Sequence, residues 1–224
     1  MLYLVPTPIG NLADLTFRAV EVLQSVDLIA CEDTRTSGIL LAHYEINTPT
    51  ISYHDHNERS RGPYLIDQMK SGKQIALISD AGSPGINDPG FYLVRMCWDA
   101  GISVEALPGP SALIPALTAS GLPSQEFVFQ GFLPNRKGRQ KRLELISREI
   151  RTVVLYESPH RLIRTLTDLL HLMGNQRMCA VCRELTKKFE DIQRGNLHTL
   201  LHYYQAKNSV KGEIVIIIAP PEFK

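Results

Sequence analysis

The chain has 224 residues, of which 44% are hydrophobic and 21% are charged, and its 24 Lys and Arg nearly balance its 23 Asp and Glu. These values are typical of a globular enzyme with one large or two small domains, and they exclude a disordered, collagen-like or fibrous chain. The charge is unevenly distributed, because residues 1–110 carry 7 basic and 13 acidic side chains, whereas residues 111–224 carry 17 and 10. The net charge is therefore −6 in the first part and +7 in the second, which predicts two units with different electrostatic roles.

The cysteines and the apolar segments indicate a cellular compartment. Four cysteines at irregular positions do not form a disulfide framework, and neither a signal peptide nor a membrane-spanning stretch is found. We therefore expect a cytoplasmic protein that does not bind a membrane. The pair Cys179-x-x-Cys182 lies in an apolar segment without a second ligand pair, so we interpret it as part of a buried strand rather than as a zinc or redox site.

In the first half of the chain, short apolar segments alternate with stretches of helical length, which predicts parallel βα units. The predicted strands, in chain order, cover residues 2–5, 27–31, 50–54, 74–79 and 103–107. The predicted helices between them cover residues 13–25, 61–71 and 91–100. A turn rich in Pro and Gly then follows, at the point where the charge changes sign. We place a domain boundary there, between an α/β domain of residues 1–109 and a second α/β domain of residues 110–224.

The second half shows the same alternation with more hairpin-like spacing. The predicted strands cover residues 126–129, 152–156, 177–182 and 213–219, and the predicted helices cover residues 112–120, 137–148, 159–172 and 195–204. The basic run at residues 136–142 places five positive charges in seven residues. Because contacts from Lys and Arg to phosphate dominate affinity for nucleic acids, we interpret this run as a surface for RNA or DNA rather than as an ordinary solvated face. Single-stranded RNA is the natural form, since its sugars and base edges can be reached in a cleft.

Three loops rich in Gly and Pro directly follow predicted strands, where open α/β sheets bind their ligands. They cover residues 6–12, 79–90 and 108–112. None of them contains Lys or Arg, and the second offers polar side chains such as Asp80 and Ser83. Neither Gly-x-Gly-x-x-Gly nor a Walker-type phosphate loop is present. The loops therefore favour a small neutral or cationic ligand, such as a sulfonium compound, over a dinucleotide or triphosphate.

Two polar clusters follow the second and third predicted strands, so we expect them at the same edge of the sheet. The first is Cys31-Glu-Asp-Thr-Arg-Thr and the second is His54-Asp-His-Asn-Glu. The two histidines of the second cluster could bind a metal, but no third ligand follows at a suitable spacing. We interpret this cluster as substrate contacts or loop hydrogen bonds. A Ser/His/Asp hydrolase triad is not assigned either, because the Gly-x-Ser-x-Gly motif is missing.

Seven motifs occur in an order that is known from one protein family. They are Leu4-Val-Pro-Thr-Pro-Ile-Gly-Asn-Leu, Cys31-Glu-Asp-Thr-Arg, His54-Asp-His-Asn-Glu, Ser79-Asp-Ala-Gly-Ser-Pro-Gly-Ile-Asn-Asp-Pro-Gly, Pro108-Gly-Pro-Ser-Ala, Tyr156-Glu-Ser-Pro-His-Arg and Arg183-Glu-Leu-Thr-Lys. Over about residues 2–219, the chain resembles the branch of the tetrapyrrole methylase family that methylates small-subunit ribosomal RNA.

The resemblance implies a fold of two α/β domains with S-adenosylmethionine in the cleft between them, usually in a homodimer. It also implies methylation of the 2′-hydroxyl of a cytidine ribose in 16S ribosomal RNA, without a metal ion. The residues implied to contact the cofactor are Pro8, Asp80, Ser83, Ser111, Ala112, Tyr156, Leu185, Lys211 and Gly212. Ser83 replaces the Thr of many relatives but retains the hydroxyl. Relatives often continue beyond the second domain, so we expect this chain to bind RNA through its two domains alone or with a partner.

Glu32 and Asp33 are the candidates for the base that removes the proton of the hydroxyl. Arg35 and Lys187 are the candidates for holding phosphates or stabilising the developing alkoxide. For Glu32, Asp33 and Arg35, the alternative is a local ion-pair network that only shapes the first polar cluster. Two other functions remain open, namely methylation of a tetrapyrrole or another small molecule, and a non-catalytic module that binds the cofactor or assists ribosome assembly. The second polar cluster and the basic run favour RNA.

Overall fold

The computed structural model describes residues 1–223, and the chain divides into two compact units, Met1–Ser111 and Ala112–Lys224. Within the described residues, each unit contains a five-stranded sheet flanked by helices. The predicted α/β class is therefore confirmed. None of the helices in this part of the chain is both long and apolar enough to cross a membrane.

The first unit is a parallel sheet in which strands and helices alternate along the chain. Its strands are β1 (Leu2–Leu4), β2 (Leu28–Cys31), β3 (Thr50–Ser52), β4 (Ile75–Ile78) and β5 (Val104–Ala106). Its helices are α1 (Phe17–Ser25), α2 (Thr34–His43), α3 (Glu58–Lys70) and α4 (Phe91–Asp99), and a short 3₁₀ helix covers Leu12–Asp14. The strand order is β3-β2-β4-β1-β5, and every pairing is parallel.

Both faces of this sheet are buried, because successive side chains of a strand point to opposite faces. In β4, Ile75 and Leu77 pack in a core with α3 and α4, whereas Ala76 and Ile78 pack with α1 and α2. This explains why the strands read as continuous apolar runs. The loops that follow the parallel strands consequently leave from one edge of the sheet, and this edge carries the Gly/Pro loops and the polar clusters.

The second unit contains a mixed sheet. Its strands are β6 (Phe127–Phe132), β7 (Thr152–Glu157), β8 (Met178–Arg183), β9 (Asp191–Asn196) and β10 (Ile214–Ile218). Its helices are α5 (Leu113–Ala119), α6 (Arg139–Ser147), α7 (Leu162–Met173) and α8 (Leu197–Gln205). The order is β6-β7-β10-β8-β9, in which only β6 and β7 pair in parallel. All five residues of the central strand β10 are buried.

Apart from the short 3₁₀ helix, the structure adds two elements that the sequence pattern did not predict. Strand β9 pairs antiparallel with β8, but its sequence Asp-Ile-Gln-Arg-Gly-Asn lacks apolar alternation because it lies at the edge of the sheet. The predicted start of the following helix at residue 195 was wrong, because Asn196 accepts a hydrogen bond from the amide of Thr199 at 2.8 Å and α8 begins at Leu197. Helix α2 is the second addition, and it begins inside the first polar cluster.

The interpretation of the cysteine pair as part of a buried strand is confirmed. Cys179 and Cys182 are both buried in β8. Three positions along a strand reverse the direction of the side chain, so the two thiols lie on opposite faces of the sheet. Cys179 belongs to the main core of the unit, whereas the thiol of Cys182 contacts the carbonyl of Ala116 on the other face. The two sulfurs therefore do not form a chelating or redox pair.

Candidate active site

The three Gly/Pro loops of the first unit contact one another. The amide of Thr7 donates to the carbonyl of Gly82 at 2.9 Å, and the amide of Gly82 donates to the carbonyl of Thr7 at 2.8 Å. This bridge joins the first loop to the second and places Pro8 directly beside it. The hydroxyl of Ser83 donates to the carbonyl of Pro110 at 3.3 Å, which joins the second loop to the third. The structure thus brings together loops that are far apart in the sequence.

Glycine is required where these loops approach most closely. A Cβ atom at Gly109 would lie 2.9 Å from the Cβ of Pro6, which leaves no room for a larger residue between the first and third loops. Gly82 has a φ of +83°, a conformation that residues with a side chain rarely adopt. The loops therefore expose backbone groups at short range to anything bound against them, as expected for a ligand-binding edge.

The first polar cluster forms the local ion pair that the sequence left open. Asp33 caps α2 by accepting from the amide of Arg35 at 2.8 Å, and its carboxylate also accepts from the guanidinium at 3.1 and 2.6 Å. These hydrogen bonds from Arg35 lower the pKa of Asp33 to about 2. The amide of Asp33 in turn donates to the carboxylate of Asp80 at 3.1 Å. The cluster is thereby fixed against the second Gly/Pro loop.

Glu32 has a different environment from its neighbour Asp33, although both are acidic. Glu32 is half-buried, and burial followed by the negative charge of Asp80 raises its pKa. Asp88 responds in the same way, because burial and the charge of Glu32 raise its pKa to about 6. Asp55 adds to both shifts from the second polar cluster. This edge of the sheet therefore contains two carboxylates, those of Glu32 and Asp88, whose pKa values are raised.

Asp88 belongs to the second Gly/Pro loop, and the sequence pattern did not single it out as a candidate. The signal that could have identified it is its place in a loop that follows the fully buried strand β4, next to the largely buried strand β2. The pKa of Asp88 responds to Glu32, Asp80 and Asp55, so these carboxylates lie near one another although they are distant in the sequence. Such proximity depends on loop conformation, which the spacing of residues does not reveal.

The second polar cluster is organised by Asn57. Its side-chain oxygen accepts from the amide of His54 at 2.9 Å, and its side-chain nitrogen lies 3.2 Å from the His54 ring nitrogen Nε2 and donates to the carbonyl of Ser52 at 3.2 Å. This agrees with the interpretation as loop hydrogen bonds. Within residues 1–223, no group of three or more His, Cys, Asp or Glu residues is placed to hold a metal ion.

In the second unit, the predicted cofactor residues Leu185, Lys211 and Gly212 lie in two loops that contact each other. The amide of Glu184 donates to the carbonyl of Glu213 at 2.9 Å, and the amide of Glu213 donates to the carboxylate of Glu184 at 3.0 Å. Gly212 has a φ of +90°, and a Cβ atom there would overlap the Glu184 side chain. The two loops thus require glycine at this position.

Lys187 is held by carboxylates of the same two loops. Its Nζ atom lies 3.2 Å from Oε1 of Glu184 and 3.1 Å from Oε2 of Glu213. Leu185, between Glu184 and Lys187, is buried, and residues 184 and 186 both have a positive φ although neither is glycine. Strained backbone of this kind persists only where surrounding contacts hold it, and Lys187 supplies such contacts.

The remaining predicted cofactor residues lie on either side of the point in the chain where the first unit ends, and on β7. Ser111 is the last residue of the first unit, and Ala112 directly precedes α5. Tyr156 is half-buried near the end of β7, where its ring contacts those of Phe129 and Phe132 with centroid distances of 4.9 and 5.7 Å. Nothing in the local sequence pattern distinguishes Tyr156 from an ordinary strand residue.

The interpretation of the basic run as an exposed surface was wrong at one position. Arg139 is only 3% exposed, and its guanidinium donates to Asp168 and to the hydroxyl of Thr165, both at 2.8 Å. Its charge is used to join α6 to α7. The other four basic side chains of the run are exposed, namely Arg136, Lys137, Lys141 and Arg142.

The chain matches one family model and curated relatives that share one name. The model of the tetrapyrrole (corrin/porphyrin) methylases matches residues 1–201. A protein of Synechocystis called ribosomal RNA small subunit methyltransferase I is 53% identical over 220 residues, which is 98% of this chain and 78% of the relative. The protein of the same name from Escherichia coli is 52% identical over 219 residues, which is 97% of this chain and 77% of the relative.

Solved structures show the same fold at low sequence identity. A cobalt precorrin-4 methyltransferase superimposes with a TM-score of 0.72 at 16% identity and covers 97% of this chain and 94% of that one. The uroporphyrin-III C-methyltransferase of Thermus thermophilus in complex with S-adenosyl homocysteine has a TM-score of 0.65 at 18% identity and covers 98% and 97%. The fold and the sequence relatives agree, and the chain belongs to the tetrapyrrole (corrin/porphyrin) methylase family, within its ribosomal RNA small subunit methyltransferase I group.

Proposed function

We propose that the protein transfers the methyl group of S-adenosylmethionine to the 2′-hydroxyl of a cytidine ribose in 16S, small-subunit ribosomal RNA. The observation that carries this proposal is the identity of about half of the residues, over nearly the whole chain, with relatives called ribosomal RNA small subunit methyltransferase I. Methylation of a tetrapyrrole is less well supported, because the relatives of that kind are similar at only 16–19% identity.

The chemistry of the first unit fits S-adenosylmethionine. The three Gly/Pro loops offer backbone groups, hydroxyls and the carboxylate of Asp80 without any Lys or Arg, which suits a ligand with a positive sulfonium and ribose hydroxyls. A related fold has been solved with S-adenosyl homocysteine. The residues that we propose to hold the cofactor are Pro8, Asp80, Ser83 and Ser111 of the first unit and Ala112, Tyr156, Leu185, Lys211 and Gly212 of the second. When bound, the cofactor supplies an activated methyl group.

Of the two candidate bases, we propose that Glu32 accepts the proton of the 2′-hydroxyl. A general base works best when its pKa lies near the working pH, so the raised pKa of Glu32 suits the role better than the pKa of about 2 at Asp33. In this proposal, Asp33 holds the first polar cluster in place by capping α2 and contacting Asp80. The side chain of Arg35 is 89% exposed, and we propose that it contacts RNA phosphate. Lys187, already between two carboxylates, supports the Leu185 loop in this proposal.

Glu32→Gln should lower kcat by about 100-fold or more, because the hydroxyl then loses its proton acceptor. The affinity for the cofactor should stay within threefold of the wild type. Single-turnover methyl transfer and isothermal titration calorimetry measure the two quantities. Glu21→Gln, an exposed carboxylate on α1, is the matched control and should be fully active. Normal turnover by Glu32→Gln would show that Glu32 is not the base.

The overall activity is tested with radiolabelled S-adenosylmethionine and three acceptors, namely isolated small subunits, naked small-subunit RNA and a tetrapyrrole. Digestion of the RNA to nucleosides should place the label in 2′-O-methylcytidine. Label in the tetrapyrrole would support small-molecule methylation instead. Binding of the cofactor without transfer to any acceptor would indicate a non-catalytic module.

We further propose that the protein acts in the cytoplasm as a homodimer, with residues 1–109 and 110–224 as its functional domains. Four buried cysteines without a disulfide are compatible with a reducing compartment, and the relatives are named for ribosomal RNA. Size-exclusion chromatography with light scattering should give twice the mass of one chain, 25.1 kDa. A monomer at micromolar concentration would contradict the dimer.

A further inference from the structure

A cavity of about 550 Å³ opens in the second unit where β6 and β7 end. It is lined by residues 132–135, Ser158, His160 and Arg161. Because β6 and β7 are parallel, the segments that follow both strands lie at the same edge of the sheet. None of the residues assigned above to the cofactor lines this cavity, so it is a separate feature of the unit.

One wall of the cavity is an exposed aromatic ring. Phe132 is 53% exposed, although a large apolar side chain loses favourable free energy when it remains in water. Its ring contacts that of Tyr156 with a centroid distance of 5.7 Å, and the guanidinium carbon of Arg161 lies 6.0 Å from its centroid. These contacts hold the ring in place and leave the rest of it accessible for stacking.

The cavity wall is fixed from behind by a buried polar network. The guanidinium of Arg161 pairs with the buried carboxylate of Glu157 at 2.7 Å and donates to the carbonyl of Leu133 at 2.9 Å. The hydroxyl of Thr165 donates to the other oxygen of Glu157 at 2.6 Å, and Arg139 donates to that hydroxyl. Every member has a partner, so the network orders the segment after β6 before any ligand arrives.

The charge around the opening is positive. Arg136 and Lys137 directly follow the residues that line the cavity, and both side chains are exposed. Within residues 1–223, no carboxylate forms an ion pair with either of them, and none of the lining residues is acidic. The N-terminus of α7, which begins at Leu162 next to Arg161, adds positive potential. The opening therefore suits an anionic group, beside a ring that suits a flat apolar one.

We infer that this cavity, the Phe132 pocket, binds one nucleotide of the single-stranded RNA substrate. The base stacks on the ring of Phe132, and the flanking phosphates lie against His160, Arg136 and Lys137. Single-stranded nucleic acids are bound by this combination of aromatic stacking and backbone cations. The inference rests on the proposed function and adds where on the second unit the strand is held. Because Phe132 contacts Tyr156, the nucleotide is held next to a proposed cofactor residue.

Phe132→Leu tests the stacking wall, because leucine still packs against Tyr156 but lacks a ring. Binding of a fluorescent oligocytidylate should weaken about tenfold, and KM for isolated small subunits should rise with little change in kcat. Phe132→Trp should restore both values. Trp98→Ala is the matched control and should behave as wild type. It removes an aromatic side chain that is 71% exposed, at the C-terminal end of α4.

Phe132 could act by binding RNA or by supporting Tyr156 in the cofactor site. Cofactor affinity, measured in the same variants by calorimetry, distinguishes these two roles. Affinity within twofold of wild type is expected. If Phe132→Leu weakened cofactor binding as much as RNA binding, the ring would serve Tyr156 and the inference would be overturned. Unchanged oligonucleotide affinity and unchanged KM in Phe132→Leu would overturn the inference as well. The proposed function would still hold in that case, provided that the wild type transfers the methyl group. Absence of transfer to small subunits by the wild type would instead refute both.

Discussion

At the scale of single residues, environment separates side chains that have the same chemistry. Glu32 and Asp33 are adjacent acids, but Asp33 faces the guanidinium of Arg35, whereas Glu32 is half-buried near Asp80. Their pKa values consequently move in opposite directions. A low pKa favours a permanently charged helix cap, and a raised pKa favours exchange of a proton. Two adjacent carboxylates can therefore perform different tasks at one edge of the sheet.

Asp88 should make the stability of the protein depend on pH. Its pKa is about 6 in the folded protein, against an ordinary value of 3.8, so the folded state binds the proton more tightly. Stability therefore decreases as the pH rises from 3.8 to about 6. Asp88→Asn removes this loss and should stabilise the protein at pH 7 by about 1 kcal/mol, after allowance for partial solvent exposure.

Urea denaturation of Asp88→Asn at several pH values checks this prediction. The gain over wild type should vanish below about pH 4, because both forms are then uncharged. Asp33→Asn provides a comparison of opposite sign. The pKa of Asp33 is lowered to about 2 by Arg35, so its stabilising contribution is present at neutral pH and is lost as the pH falls through that value. A gain for Asp88→Asn that did not vary with pH would contradict the assignment.

At the scale of secondary-structure elements, loops of the second unit depend on single glycine positions. Gly212→Ala should destabilise the protein by about 2 kcal/mol or more, because its positive φ and the overlap with Glu184 both oppose a side chain. Gly174→Ala is the matched control, since Gly174 has a similar φ of +82° but open space around it. It should cost less, about 1–2 kcal/mol, because only the strained backbone opposes the new methyl group. Thermal denaturation measures both changes.

The same pair of variants distinguishes a structural role from a role in binding. Because Gly212 packs against the loop of Leu185, Gly212→Ala should also weaken binding of S-adenosylmethionine, whereas Gly174→Ala should leave it unchanged. Calorimetric titration of the cofactor gives the comparison. Equal cofactor affinity in the two variants would separate the Lys211–Gly212 turn from the cofactor site.

Helix α6 uses its basic side chains on two different faces. Arg139 faces α7 and is buried against Asp168, whereas Lys141 is exposed. Arg139→Ala should destabilise the protein by about 3 kcal/mol, because it removes one partner of a largely buried ion pair and leaves the hydroxyl of Thr165 with one partner fewer. Lys141→Ala should change stability by less than about 0.5 kcal/mol. Urea denaturation distinguishes the two, and equal stability of both variants would contradict this division.

At the scale of the whole molecule, the two units carry opposite net charges, −6 for residues 1–110 and +7 for residues 111–224. The acidic unit contains the carboxylate-rich edge of the sheet, and the basic unit contains the exposed cations Arg136, Lys137 and Lys141. Because neutralised phosphates release counterions, RNA affinity should fall steeply with salt. The near-zero total charge of the chain therefore does not argue against binding of nucleic acid.

Replacing these three cations by glutamine should reduce the slope of log affinity against log salt concentration by about 2, since each phosphate contact with a single strand contributes about 0.7. Fluorescence anisotropy with oligocytidylate between 50 and 200 mM salt, roughly the range where such contacts weaken, gives the slope. Cofactor affinity should stay unchanged. Arg139 is left intact because its replacement would report on folding. An unchanged slope would mean that the RNA is bound elsewhere on the protein.

Much of the fold could be predicted from local sequence pattern. The apolar segments of both units became strands, because burial of a strand on both faces demands consecutive apolar residues, as in Ile214–Ile218. Strand β9 could not be predicted in this way, because an edge strand satisfies its backbone by pairing and its side chains are only partly buried. The start of α8 shifted for a related reason, since Asn196 ends the strand and caps the helix.

The sequence by itself determined the fold class, the three Gly/Pro loops and the opposite charges of the two halves, because these follow from periodicity, the positions of Gly and Pro, and counting. Only the tertiary structure decided which of the candidate charges are available for chemistry. Arg139 pairs with Asp168 and Lys187 pairs with Glu213, and both carboxylates are distant in the sequence. Glu32 acquires its raised pKa from burial and from Asp80. Burial and charge pairing depend on distances in space, and the order of residues along the chain does not contain these distances.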